Sequence, residues 1–222
     1  MAALSWDIDD IFDDFFEDFF DDFTITSKKK KSHRVRSTDD INSTVRINHI
    51  PIKAEEKEEK PKAARSRKRG TIAEITPHLY LSGVHEMEHD VLKELGVTSI
   101  INCTADYPNQ KFPFVENYVQ IHVDDVPGTD LKSCFDMCAD EIKKERMKGG
   151  ATLVHCERGI SRSSTLCIAY LMKCLHMSLF DAHQHVKSRR PCTNPNMGFF
   201  RQLMQFEKSL FGTNSVKIEP LK

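Results

Sequence analysis

The chain has 222 residues, 39% of them apolar and 29% charged, an ordinary globular composition that excludes collagen-like, mucin-like and membrane-embedded proteins. Thirty-two Lys and Arg against 33 Asp and Glu leave the total charge near zero, which removes the usual electrostatic argument for a nucleic-acid binder. No apolar run approaches the ~20 residues that span a bilayer, and the amino terminus is acidic, so neither a membrane-spanning helix nor a secretory leader is expected. Seven cysteines without a C-x-x-C pair read as free thiols, and the expected location is cytoplasmic or nuclear.

The charge is polarised along the chain. Residues 1–23 carry nine acids and no base, whereas 24–70 carry fifteen bases and six acids. In the first stretch Trp6, Ile8, Phe12, Phe15, Phe19 and Phe23 recur at three- and four-residue spacing between acids, the pattern of an amphipathic helix. Six of the fourteen Phe lie there, more than solvent suits, so a docking segment for an unidentified protein partner is expected. Lys28–Lys31 and Arg65–Arg69 belong to a charged linker with the composition of disorder, and the composition shift near Gly70 sets the domain boundary. The expected organisation is an extension over 1–70 and a catalytic domain over 71–222, its core about 72–212.

From residue 71 the pattern is that of a packed α/β domain. Strands are predicted at 79–81, 97–102, 118–123 and 152–155, with helices at 87–95 and 131–147 between them. Alternation of the two implies a central, mostly parallel twisted sheet flanked by helices. Beyond it, 161–175 is apolar almost all round, 179–188 is amphipathic, and a last helix is predicted at 197–210 after Pro195.

The chemistry concentrates at Thr152-Leu-Val-His-Cys-Glu-Arg-Gly-Ile-Ser-Arg-Ser163, where a buried strand ends at Cys156 and a long helix begins. Backbone N–H groups of Glu157, Arg158, Gly159, Ile160 and Ser161 at such a junction converge as a cradle for a phosphate dianion, and the Arg162 guanidinium can hold two of its oxygens at once. The same positive field favours the Cys156 thiolate as a nucleophile. Gly159 permits the tight turn, and Ser163 can hydrogen-bond the sulfur when it departs. His155 is read as a support for the loop from beneath. An ordinary structural Cys would not explain Cys, Gly and Arg at offsets 0, +3 and +6, and pairing His155 with Cys156 or Cys134 with Cys138 does not supply the four ligands of a metal site. Cys103, which ends a neighbouring strand, is read as a core thiol, with a disulfide to oxidised Cys156 as the alternative.

Attack on a phosphate ester expels a poor leaving group, so a carboxylic acid has to protonate it and then, as carboxylate, activate water. The loop after the 118–123 strand offers Asp124, Asp125 and Asp130; the last precedes a helix and has the position of a cap.

His155–Ser163 resembles the H-C-x-x-G-x-x-R-S signature of the cysteine-dependent protein phosphatases. With Ala169–Met172, Arg189-Arg-Pro191, Pro195-Asn196, Gly198-Phe199, Gln202-Leu203 and Glu207–Gly212, the stretch 72–217 is similar to the small atypical dual-specificity phosphatases, in particular the MAP-kinase-phosphatase-6-like group. The resemblance implies the cysteine-phosphatase fold and hydrolysis of phosphotyrosine and of phosphoserine or phosphothreonine through a cysteinyl-phosphate, with no cofactor. It implies phosphoprotein substrates, MAP kinases or their regulators among them. It also puts Asp125 at the general-acid position and Asn196 where the family braces its active-site loops. Arg158 departs from the pattern, standing where relatives usually carry an uncharged residue. A phosphoinositide or RNA 5′ phosphate as substrate, and a non-catalytic phosphopeptide-binding module, are the alternative readings; Cys156, Arg162 and Asp125 are all present, which speaks against the module.

Overall fold

Residues 151–156, Ala-Thr-Leu-Val-His-Cys, have no polar face to show to water, and the chain buries all six at the centre of a sheet. Strands buried on both faces read as continuous apolar runs and not as alternation. In the computed structural model, which describes residues 46–49, 72–108 and 110–219, five strands form this sheet: β2 (Ala73–Thr76), β3 (Leu79–Gly83), β4 (Val97–Asn102), β5 (Asn117–Gln120) and β6 (Ala151–Cys156), in the order β2-β3-β6-β4-β5. β3, β6, β4 and β5 are parallel and β2 runs antiparallel at the edge. Gly83 lies beside Cys156 on one side and Asn102 beside His155 on the other, so three strands end together under the 156–162 loop.

Helices cover both faces. α1 (His89–Glu94) packs on β4, where Tyr80, Met87, Leu92, Val97, Ile100, Ala151 and Leu153 form a core closed from outside by Phe112, Phe114 and Tyr118. On the opposite face, α3 (Arg162–Cys174) packs on β6 and β3 and is surrounded by α2 (Phe135–Met147), which also reaches β6 and β4, by α4 (Leu179–Arg189), which also reaches β2, and by α5 (Met197–Phe211). This central placement explains why α3 is buried from Arg162 to Met172. Ser178 and Asn196 cap α4 and α5 through bonds from the Asp181 and Phe199 amides. Buried Glu207 accepts from the Leu179 amide and from the Ser215 amide and hydroxyl, tying the start of α4 to the turn after α5.

The expected sheet and helices correspond to these elements, with three differences. The strand predicted over 118–123 ends at Gln120; beyond it only the Ile121 amide reaches Asn102, because β4 itself stops there. β2 was not foreseen, since Ala-Glu-Ile-Thr is short and lies at the sheet edge. The strand β1 (Arg46–His49), antiparallel to β7 (Val216–Glu219), falls inside the stretch assigned to the linker. Its four residues contain a single apolar side chain, too little to register as a strand. Both β1 and β7 belong to the unit formed by 45–50 and 67–222. The amphipathic acidic segment and the basic runs lie outside the described residues. No helix among the described residues is long and apolar enough to cross a membrane.

Three buried histidines link this packing to pH. Burial pushes His155 and His183 down to about 4 and also lowers His185, whose Nε2 donates to the Ile75 carbonyl at 2.7 Å. Unfolding returns the rings to water, where they titrate near 6.5. As pH falls the unfolded chain therefore binds protons first; the stability tied to the neutral rings is complete above pH 6.5 and is lost on the way down to about 4. Denaturant titrations are expected to give an unfolding free energy roughly 3 kcal/mol lower at pH 5 than at pH 7, His155 and His183 together supplying the difference; a flat profile would show that the rings are not held neutral.

Candidate active site

Cys156 is the last residue of β6 and is 1% exposed. Its Sγ accepts two hydrogen bonds, from the Gly159 amide at 3.2 Å and from Ser163 Oγ at 3.1 Å. Both would be retained by a thiolate. The loop turns back on itself at Gly159, whose φ of +65° is one that side-chain-bearing residues rarely adopt. A Cβ there would also lie 2.6 Å from the Ser82 carbonyl and from an Arg190 nitrogen, so both the backbone angle and the space require glycine. Glu157 and Arg158 are exposed at the rim, Ile160 is half-buried, and Ser161 is buried beneath them.

Arg162 opens α3 with its side chain 9% exposed. Nη1 donates to the Val123 carbonyl at 3.1 Å, which fixes the guanidinium plane. The opposite edge is uncommitted: Nε has no hydrogen-bond partner among the described residues and stands 4.0 Å from Asp125 Oδ2, while Nη2 is 3.7 Å from Glu157 Oε2. A buried donor without an acceptor costs about 1–3 kcal/mol, and a phosphate oxygen would satisfy it.

The three loop acids have different surroundings. Asp125 Oδ1 accepts from Ser161 Oγ at 2.7 Å and from Asn196 Nδ2 at 2.8 Å, which leaves Oδ2 toward Arg162. Asp124 is exposed and makes no hydrogen bond or ion pair with any described residue. Asp130 Oδ1 accepts from the Ser133 amide at 3.2 Å, a local cap. Asn196 has two further roles: its Oδ1 caps α5 and its amide donates to Ser161 Oγ. Ser161 thereby joins the phosphate loop, the Asp125 loop and α5 through one hydroxyl.

Two residues outside the expected set hold the acid loop against α5. Gln202 Oε1 accepts from the Leu131 and Lys132 amides, and its Nε2 donates to the Thr129 carbonyl. Gly198 lets the helix approach Pro127 so closely that a Cβ would overlap the Pro127 carbonyl. Both stand in stretches that carried the family resemblance, but their tasks depend on a long-range contact invisible in local pattern. His155 is 1% exposed and neutral, and its carbonyl receives the Cys103 amide at 2.8 Å. Burial raises the thiols of Cys103 and Cys167 and pushes Cys138 up to about 12, so these neighbours stay protonated.

A buried cysteine at a strand end, a turn of amides before a helix, a half-free guanidinium and a carboxyl held beside it define a cysteine-dependent phosphatase, and this class takes its specific form from sequence comparison. The family described as dual specificity phosphatase, catalytic domain, matches residues 79–209. Human dual specificity protein phosphatase 14 is 45% identical over 150 residues, 67% of this chain and 75% of that protein. Human dual specificity protein phosphatase 18 is 43% identical over 146 residues, 65% of this chain and 77% of its own. Among solved structures, human DUSP28 is 32% identical with a TM-score of 0.61, covering 67% of this chain and 99% of that one. A mouse putative dual specificity phosphatase complexed with zinc tungstate is 30% identical with a TM-score of 0.62, covering 69% and 96%. The chain belongs to the dual specificity phosphatase family, and it is a protein phosphatase.

Removing the Asn196 side chain separates its tasks. Asn196→Ala is expected to cost about 1 kcal/mol of stability through the lost cap and, by freeing Asp125, to lower turnover about tenfold. Asn196→Ser restores an oxygen for the cap but is too short to reach Asp125, so thermal stability should recover while turnover stays low. Recovery of both would show that Asn196 serves only the helix.

Proposed function

We propose that the protein dephosphorylates phosphotyrosine and phosphoserine or phosphothreonine in phosphoproteins, with Cys156 as nucleophile, Arg162 and the 157–161 amides as the phosphate site, and Asp125 as the general acid. The observation that carries this reading is the pair of hydrogen bonds on Cys156 Sγ beside the uncommitted edge of Arg162. In the first step the thiolate attacks phosphorus, an S–P bond forms, the P–O bond to the side chain of the substrate breaks, and the proton on Asp125 passes to the departing oxygen. Charge spreading over the equatorial oxygens meets the amides and the Nε–Nη2 edge of Arg162.

In the second step the Asp125 carboxylate takes a proton from water as that water attacks phosphorus. The S–P bond breaks and its electron pair returns to Cys156 Sγ, where the Gly159 amide and Ser163 hydroxyl receive it. Because Oδ1 of Asp125 already accepts two donors, Oδ2 is the oxygen that carries the transferred proton. The resemblance to the MAP-kinase-phosphatase-6-like group supports MAP kinase pathway proteins as the substrates. Retention of those phosphoproteins by Cys156→Ser, which binds without turning over, tests that assignment.

A general acid contributes about 10²–10⁴-fold. Asp125→Asn is accordingly expected to lower turnover by about 10²–10⁴ and to abolish the fall in rate at high pH, with the larger loss on alkyl than on activated aryl phosphates. Asp124→Asn, on an exposed side chain without partners among the described residues, should retain most activity. Steady-state kinetics on both substrates decides between them, and a crippled Asp124→Asn beside a mild Asp125→Asn would move the acid by one residue.

A further inference from the structure

A phosphate cradle works only if successive N–H groups face the same point, and in a planar trans peptide the carbonyl of one residue and the N–H of the next point in opposite directions. Holding the carbonyls outward is thus equivalent to aiming the amides inward. Four consecutive carbonyls of the loop are held this way. Glu157 O accepts from the Val84 amide at 3.1 Å, Arg158 O from Arg190 Nη2 at 3.1 Å, Gly159 O from Arg190 Nε at 2.7 Å, and Ile160 O from the Asn194 amide at 2.8 Å. The Gly159 amide, directed at Cys156 Sγ, has the orientation this requires.

Two of the four carbonyls depend on Arg190, which lies just beyond α4 and is 6% exposed. Its guanidinium is in turn held by Glu86, Nη1 to Oε2 at 3.0 Å and Nη2 to Oε1 at 2.9 Å, and Glu86 Oε2 also accepts from the Gly83 amide at 3.1 Å. The Glu86 side chain is 13% exposed, so the pair is largely withdrawn from water. Such a pair is a poor choice for stability alone, because desolvation offsets most of its attraction. What a hydrophobic pair could not do is donate to two adjacent carbonyls at the back of a catalytic loop. Lysine could not do it either, since the task needs donors spread over a rigid plane.

We infer that the Arg190–Glu86 pair is the positioning device of the phosphate site: it aims the Gly159 and Ile160 amides by holding the carbonyls before them. The inference rests on the reading of the 157–162 loop as the phosphate cradle. Its consequence is selective. A loosened loop still admits a ground-state phosphate through Arg162, but it loses the convergence that a trigonal-bipyramidal phosphorus demands.

The test uses the full chain, a small aryl phosphate and orthovanadate, which adopts the trigonal-bipyramidal geometry. Arg190→Lys is expected to lower kcat about 10- to 100-fold and to weaken vanadate inhibition by a similar factor, while KM changes less than about threefold. Glu86→Gln should move kcat and vanadate inhibition in the same direction by less, and the two changes together should cost less than their product. Where Arg190→Lys does not fold, Glu86→Gln decides alone. A variant that is folded but less heat-stable, with kcat and vanadate inhibition as in the unaltered protein, overturns the inference and leaves the pair a structural one. If the unaltered protein is itself indifferent to vanadate, the phosphate-cradle reading falls first.

Discussion

The peptide unit is the constraint on which the site depends. A dianion bound by main-chain N–H groups has to be shielded from the carbonyls that alternate with them, and a loop of five residues has no internal means of turning all its carbonyls away. The surrounding fold supplies the donors. β3 ends in a turn whose Val84 amide reaches Glu157, the segment after α4 contributes Arg190 and the Asn194 amide, and α3 returns the Ser164 hydroxyl to Ile160. These donors come from parts of the chain more than seventy residues apart, and they meet because β3 and β6 are parallel neighbours with Gly83 opposite Cys156. The position of the strand ends is therefore the first element of the chemistry.

The acid is attached to the cradle and does not merely lie near it. Ser161 Oγ both receives the Asn196 amide and donates to Asp125, so a displacement of the phosphate loop is felt by the carboxyl through one hydroxyl. On its other side the acid loop is fixed by Gln202 and by the close approach of Gly198 to Pro127. α5 thus sets the position of the Asp125 carboxyl, the proposed general acid. A helix is better suited to this than a loop, because its rigid rise fixes Gly198 relative to Gln202 while the cap bond ties Asn196 to its first turn.

Legibility in the sequence followed the range of the interaction. Local devices were readable: the strand ending at Cys156, the turn at Gly159, the helix opening at Arg162 and the Asp130 cap all involve residues within a few positions of each other. Periodicity and apolar runs located the five helices and the four parallel strands β3 to β6, because burial on one or both faces imposes them. The edge strand β2 and the ribbon of β1 with β7 carry too few apolar residues to impose anything. Arg190 stood in view within Arg189-Arg-Pro191, yet nothing local separates it from exposed Arg189; only the fold, by bringing Glu86 across 104 residues, makes one of the two a buried brace. Resemblance alone separates Asp125 from Asp124 in the sequence, and the structure adds a physical distinction: the Asp125 carboxyl accepts two hydrogen bonds, whereas that of Asp124 accepts none from the described residues.

The exposed ring of charge around the cradle has its own logic. Glu157 and Asp125 lie 3.7 and 4.0 Å from the free edge of Arg162, so the guanidinium is partly neutralised. Glu157 is half exposed, and an ion pair of this kind is worth at most about 1 kcal/mol. On the proposed reading, a phosphate dianion brings twice the charge and the bidentate geometry that a single carboxylate at 3.7 Å does not achieve, and so competes for the Nε–Nη2 edge at little cost. Arg158, the departure from the family pattern, is exposed at the rim next to Glu157 in the chain.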